Sequence, residues 1–163
     1  MNFQINLLIC RFFRRCCGPA PVKTAPTADA PRLRLSTAAK SNVSFSTERG
    51  VWSYCAETNA LKLLAEADHR SATTAGQDFV HSAPVTLIFA VNQAKTERIS
   101  GGRAGAICQS VDVGVMVQNA LLACSAMGLA AVPRAWFEPQ TVLQALGLTS
   151  YDPQMAVTVG FPK

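Results

Sequence analysis

Few residues of this 163-residue chain are of types that could do acid–base, nucleophilic or metal chemistry, and they do not cluster. Its two histidines, His69 and His81, have no nucleophile or metal partner at a telling spacing, so both read as satisfied structural side chains. The six cysteines fall at 10, 16, 17, 55, 108 and 124, with no C-x-x-C pair among them. Zinc needs ligands at close paired spacing, and a disulfide framework needs a short Cys-dense chain; neither pattern is present. No metal is expected, and buried free thiols fit a reducing, cytoplasmic compartment. Gly101-Gly102-x2-Gly105 has the glycines of a phosphate loop but follows no strand, as a dinucleotide fingerprint would.

The elements that must position any site are easier to read. Hydrophobic residues make up 49% of the chain and charged residues 15%, enough for one domain with its own core and too apolar for disorder. Val43 to Thr47 and Val51 to Cys55 read as strands around Glu48-Arg49-Gly50, and Glu57-Thr58-Asn59 turns into Leu61 to Ala65. Asp68 can cap a short helix from His69 to Thr73, and Gly76-Gln77-Asp78 opens a further turn or helix. Pro84 to Val91 is a nearly continuous apolar run rich in β-formers, expected as a central strand covered on both faces. Lys95 to Gly105 reads as a polar loop. Ala106 to Met127 then shows helical spacing through Val111, Val115, Val117, Ala120, Leu121, Cys124 and Met127, with Gly128 as the stop. Leu129 to Val132 is a short strand closed by Pro133, Glu138 to Leu146 a helix ended by Gly147, and Met155 to Gly160 a last strand. Hairpins followed by alternating strands and helices indicate an α+β fold.

Charge is divided unevenly. Met1 to Lys40 carries seven basic residues and one acidic residue, whereas Ser41 to Lys163 carries eight and nine. The net charge of +5 therefore belongs to the head, and it gives no basis for a nucleic-acid partner. Ile5 to Ile9 is apolar but precedes its basic residues, the wrong order for a secretory signal, and nothing resembles a membrane span.

Three ordered stretches of the body resemble one family. They are Gln77-Asp78-Phe79-Val80 running into Ala83-Pro84-Val85; Asp112-x-Gly114 with Gln118-Asn119-x2-Leu122-Ala123-Cys124 and Gly128-Leu129; and Val132-Pro133, Leu146-Gly147-Leu148 and Val159-Gly160-Phe161-Pro162. In that order they resemble the FMN-dependent nitroreductase superfamily, closest to its SagB-type, azoline oxidase-like branch. Gly50 to Arg70 resembles the hairpin that precedes the Gln-Asp-Phe segment in those proteins.

The resemblance implies a nitroreductase-like sheet flanked by helices, incomplete at its N-terminus, over residues 43–163. It implies a homodimer with FMN at the subunit interface and a small-molecule substrate. Hydride would pass through flavin N5 from NAD(P)H or a reduced organic substrate, so no side chain of the chain need be catalytic. Its flavin contacts would fall on Gln77 and Asp78 and on the loop Val132, Pro133, Arg134 and Ala135. Arg134 would stabilise charge at the flavin N1/O2 edge or be a solvated loop cation, and Asp78 would meet the cofactor or cap a turn. Lys163 would reach the phosphate or fray with the terminus. The alternative is a non-catalytic, truncated flavoprotein fragment with impaired FMN binding, a dimerisation module at most.

The family's Arg-rich start and its P-S-A-x-N segment are absent from residues 1–42, which have neither helical nor strand periodicity and read as a disordered or out-of-frame leader. Taking the third base of each codon with the first two of the next turns Cys16-Cys17-Gly18 into Leu followed by Trp or Arg, and Lys23-Thr24 into Asn or Asp. With permitted codons throughout, residues 16–40 become L-W-A-G-A-G-E-N-R-P-D-G-G-R-T-A-P-S-A-L-N-S-R-E-I. That string is similar to the missing family segment, so a frameshift before Val43 is expected.

Overall fold

The computed structural model describes residues 41–55, 60–99 and 102–162. Residues 1–40 of the expected leader, the turn at Glu57-Thr58-Asn59 and Lys163 lie outside the described residues. Six strands form one antiparallel sheet: β1 (Ser41–Thr47), β2 (Gly50–Cys55), β3 (Ala60–Ala65), β4 (Val85–Asn92), β5 (Ala130–Arg134) and β6 (Tyr151–Gly160), in the order β3-β2-β1-β4-β6-β5. Around it lie a 3₁₀ turn (Arg70–Thr73), α1 (Phe79–Ser82), α2 (Gln93–Ile99), α3 (Gly102–Ala126) and α4 (Pro139–Leu146). This is the α+β architecture that the pattern of elements indicates.

β4 is central because seven of its eight residues are buried, a pattern only a strand flanked and covered on both sides can satisfy. Its alternation sorts the two faces. Val85, Leu87, Phe89 and Val91 point with Phe45 and Val157 into a cluster closed by Val113, Val117, Ala120 and Cys124 of α3. Ile88 points the other way, into a smaller cluster with Val51 of β2 and Val142 and Leu146 of α4. The tight β1–β2 hairpin depends on Gly50, whose φ of +147° suits glycine and whose missing Cβ avoids the Ala65 carbonyl of β3.

Three details differ from the sequence reading. Lys95 to Ile99 is helical rather than loop, because the Asn92 side chain caps the turn by accepting from the Lys95 amide at 3.0 Å. Pro133 lies inside β5 instead of closing it. β5 is an edge strand, where a residue without an N–H is tolerated and discourages further pairing. The apolar stripe of α3 is two stripes: Val117, Ala120 and Cys124 are buried, but Val111 and Val115 are exposed together with Ile107 and Leu122. Gly105–Ala126 is long and apolar enough to cross a membrane by length and composition, and 28% of its window is buried against the rest of the fold. A helix with one face on a sheet and apolar residues on its other face satisfies the same test without lipid. α3 ends as expected at Gly128, in the left-handed region at φ +68°, with the Leu129 amide donating to the Cys124 carbonyl at 2.9 Å.

Candidate functional site

Between β3 and β4 the chain crosses the α4 side of the sheet in a run of tight turns. Asp68 starts it. Its carboxylate accepts from the Arg70 amide at 3.0 Å and takes both Nε and Nη2 of the Arg70 guanidinium, Nη2 at 2.6 Å. The Arg70 side chain also reaches forward, and Nη1 donates to the Ala83 carbonyl at 2.6 Å, tying the start of the run to its end. The hydrogen bond from Arg70 holds Asp68 below the ordinary carboxylate range, and Asp68 in turn raises Arg70.

Ala75 and Gly76 follow, both in the left-handed region with φ of 42° and 80°. The Gln77 amide donates to the Thr74 carbonyl at 2.8 Å across them, so the turn that presents Gln77 holds an alanine where glycine is preferred. Gln77 is half-buried and Asp78 exposed. Asp78 sits at the N-cap of α1, yet its side chain makes no cap hydrogen bond and is left facing outward. Ala83, extended before Pro84, ends α1 after one turn.

Val132, Pro133 and Ala135 are all exposed on the β5 edge. Arg134 is not: it is only 5% exposed, and its side chain runs beneath the strand to the first segment. Nε donates to Thr158 Oγ1 at 3.0 Å, Nη2 to Thr73 Oγ1 at 2.9 Å, and Nη1 to the Thr73 carbonyl. The guanidinium carbon lies 5.8 Å from the centroid of the Phe79 ring, a cation–π distance. Burial pulls its pKa down, but an arginine remains charged at any physiological pH. Arg134 is thus not a solvated loop cation: it is buried, and three of its five N–H groups are taken by Thr73 and Thr158.

The structure therefore brings Thr73 and Phe79, which flank the Gln77-Asp78 turn, to Arg134 at the end of β5, although 61 residues separate Thr73 from it. Among the described residues, His69 and His81 make no side-chain hydrogen bond to either segment, and no group of three or more His, Cys, Asp or Glu could hold a metal. Thr73, Phe79 and Thr158 escape sequence reasoning. Nothing local in a threonine announces that it will accept from an arginine on another strand. The one available signal is the arginine itself, because a cation on a strand in an apolar chain must find acceptors if it is buried.

The fold is thus an antiparallel sheet with one long helix on one face and a smaller layer of turns and a short helix on the other. Residues 31–161 match the nitroreductase family, so the match begins twelve residues ahead of position 43. A protein of Methanocaldococcus jannaschii that carries a nitroreductase name is 30% identical over 142 residues, which cover 85% of this chain and 70% of that one. Among solved structures, a protein of Ralstonia eutropha that also carries a nitroreductase name superposes with a TM-score of 0.76 at 23% identity, covering 96% of this chain and 72% of that one. The NADPH:FMN oxidoreductase of Vibrio harveyi, solved with NAD+, gives 0.65 at 19% identity, covering 97% and 60%. The chain belongs to the nitroreductase family, a family of oxidoreductases.

Proposed function

We propose that this chain is an FMN-dependent oxidoreductase of the SagB-type branch, acting as a homodimer and taking hydride from NAD(P)H or a reduced organic substrate. The observation that carries this reading is the tie from Arg134, in the Val132–Ala135 strand end, to Thr73 and Phe79 on either side of the Gln77-Asp78 turn, since these are the two segments to which the resemblance assigns the flavin. The rim suits an isoalloxazine edge: Val132, Pro133 and Ala135 offer exposed apolar surface and backbone, and Gln77 offers an amide able both to donate and to accept. When bound, FMN supplies the hydride-accepting N5 and the protein orients it. Gln77 and Asp78 fix the polar edge of the ring, and the β5 edge excludes water from one side.

The phosphate end is another matter. A dianion needs fixed donors, and Arg134, the rim's buried cation, is committed to Thr73 and Thr158. In this reading the missing donors belong to the segment that residues 16–40 spell in the neighbouring frame, and the nucleotide sequence of the gene tests that directly. The alternative, a fragment that no longer holds flavin, draws its support from the same commitment of Arg134.

The second copy would cover the outer stripe of α3, where Ile107, Val111, Val115 and Leu122 are each about half exposed at spacings of four, four and seven. Flavin titration followed by gel filtration separates the readings. The chain as given is expected to bind FMN weakly and to reduce quinones or nitroarenes slowly, and restoring the in-frame segment with an upstream Arg-rich start is expected to produce a yellow protein that keeps its flavin. A restored protein that elutes colourless sinks the flavin reading.

A further inference from the structure

Arg134 is a cation at the centre of the candidate rim whose chemistry points inward. Three of its N–H groups donate to Thr73 and Thr158, and its flat face lies over Phe79. One end of this contact is β5, rigid because it is paired with β6 across Ala130 to Arg134. The other end is the 68–83 run, which contains no element longer than one helical turn and a non-glycine residue at positive φ. Apolar contact holds the run to the fold in general, with Val80 fully buried and Ala72 packed against Val51, Ile88, Val142 and Leu146, but the exact placement of short turns depends on the polar ties that anchor them. Arg70 ties the run to itself, through Asp68 and Ala83; among the described residues, the side-chain hydrogen bonds that tie it to the sheet are those of Arg134.

We propose that Arg134 is a positioning residue that locks the Thr73–Phe79 segment to β5, so that the two halves of the cofactor rim keep one fixed spacing. Thr73 is its partner on the turn side and Thr158 its guide on the sheet. This rests on the flavin reading for its consequence, but the tie itself does not: the link between the turn and the strand exists whatever the rim binds. Lysine cannot replace it, because one ammonium lacks the planar fork that reaches Thr158 and both oxygens of Thr73 at once.

The test uses the full chain with two changes on opposite ends of the tie, Arg134→Lys and Thr73→Val. Amide hydrogen exchange is followed over residues 70–80 and, as internal reference, over β4. Each variant is expected to speed exchange in 70–80 about tenfold or more and to leave β4 unchanged. Unchanged exchange in 70–80, or an equal rise in β4, overturns the proposal, since the first means no tie and the second a general loss of stability. FMN titration with visible spectra adds the second readout. Both variants are expected to weaken FMN about tenfold and to shift the bound flavin's absorption maximum in the same direction, as coupled positions on one element do. If Arg134→Lys impairs FMN while Thr73→Val does not, Arg134 touches the flavin directly and the proposal fails. If the unmodified and frame-restored proteins both take up no FMN, the flavin reading fails and the exchange result alone decides the tie.

Discussion

The two faces of this sheet come from the same strands and obey different rules. Under α3, the odd-numbered residues of β4 meet Val43, Phe45, Val157 and Val159 in a cluster with no polar side chain in it. On the opposite face the same strands turn a row of hydroxyls, Ser46 opposite Thr86 and Thr86 opposite Thr158, toward the turns that carry the candidate site. One face is filled for stability by dispersion and burial. The other specifies where a few atoms lie, and it leaves polar groups in places where apolar ones would pack at lower cost. Stability and placement are thus divided unevenly by strand parity: the α3 face is packed for stability alone, whereas the far face holds both the smaller cluster around Ile88 and the hydroxyl row beside the rim.

The largest test of that division is Phe45→Ala. Phe45 is 1% exposed in the middle of the α3 cluster, and its loss is expected to cost about 3–5 kcal/mol, read as a fall in the urea midpoint at constant slope. A cost below about 1 kcal/mol, the size of a surface change, would mean that α3 does not close a packed core.

A smaller effect on the same face depends on pH. Burial pushes the Cys124 thiol from its ordinary 9.0 up to about 11. Between those values the unfolded chain has released a proton that the folded chain retains. Stability is therefore full below pH 9 and falls as pH rises toward 11, by about 2 kcal/mol in all. Cys124→Ala removes that part of the slope. Urea midpoints of both proteins from pH 8 to 11 should converge as the wild type declines; parallel curves would place the thiol in water.

How much of this was legible in the sequence follows the same division. The α3 face could be read because period-two and period-3.6 patterns report burial directly: Pro84 to Val91 became the central strand, and Gly128 and Gly147 ended their helices. The two stripes of α3 are not separable in the sequence, because Val111 and Val115 are as apolar as Val117, and type alone does not tell a residue facing the sheet from one facing away. The rim was legible only through resemblance, which selected Gln77, Asp78 and Val132 to Ala135 but could not show that Arg134 turns inward. That orientation is decided by Thr73 and Thr158, partners distant in sequence, whose residue type carries no hint of the pairing.

The finest distinction lies within the hydroxyl row itself. Thr86 and Thr158 face each other on β4 and β6, both buried, and they differ in one respect: Thr158 Oγ1 accepts from Arg134, while Thr86 Oγ1, like the Ser44 and Ser46 hydroxyls, has no partner among the described residues. Valine keeps the shape of threonine and removes the hydroxyl, so the same substitution should act in opposite directions at the two sites. Thr158→Val strands a donor of a buried cation and is expected to cost about 2 kcal/mol. Thr86→Val removes a buried hydroxyl with no protein partner among the described residues, and a gain of about 1 kcal/mol is expected. Urea midpoints of the two single variants and their double decide the matter. Two losses would show that Thr86 is satisfied in solution, by water held between the strands, and the far face would then be a hydrated polar layer and not a strained one. Opposite signs, with the double variant close to the sum, would show that only the half of the row joined to Arg134 is kept for what it holds in place.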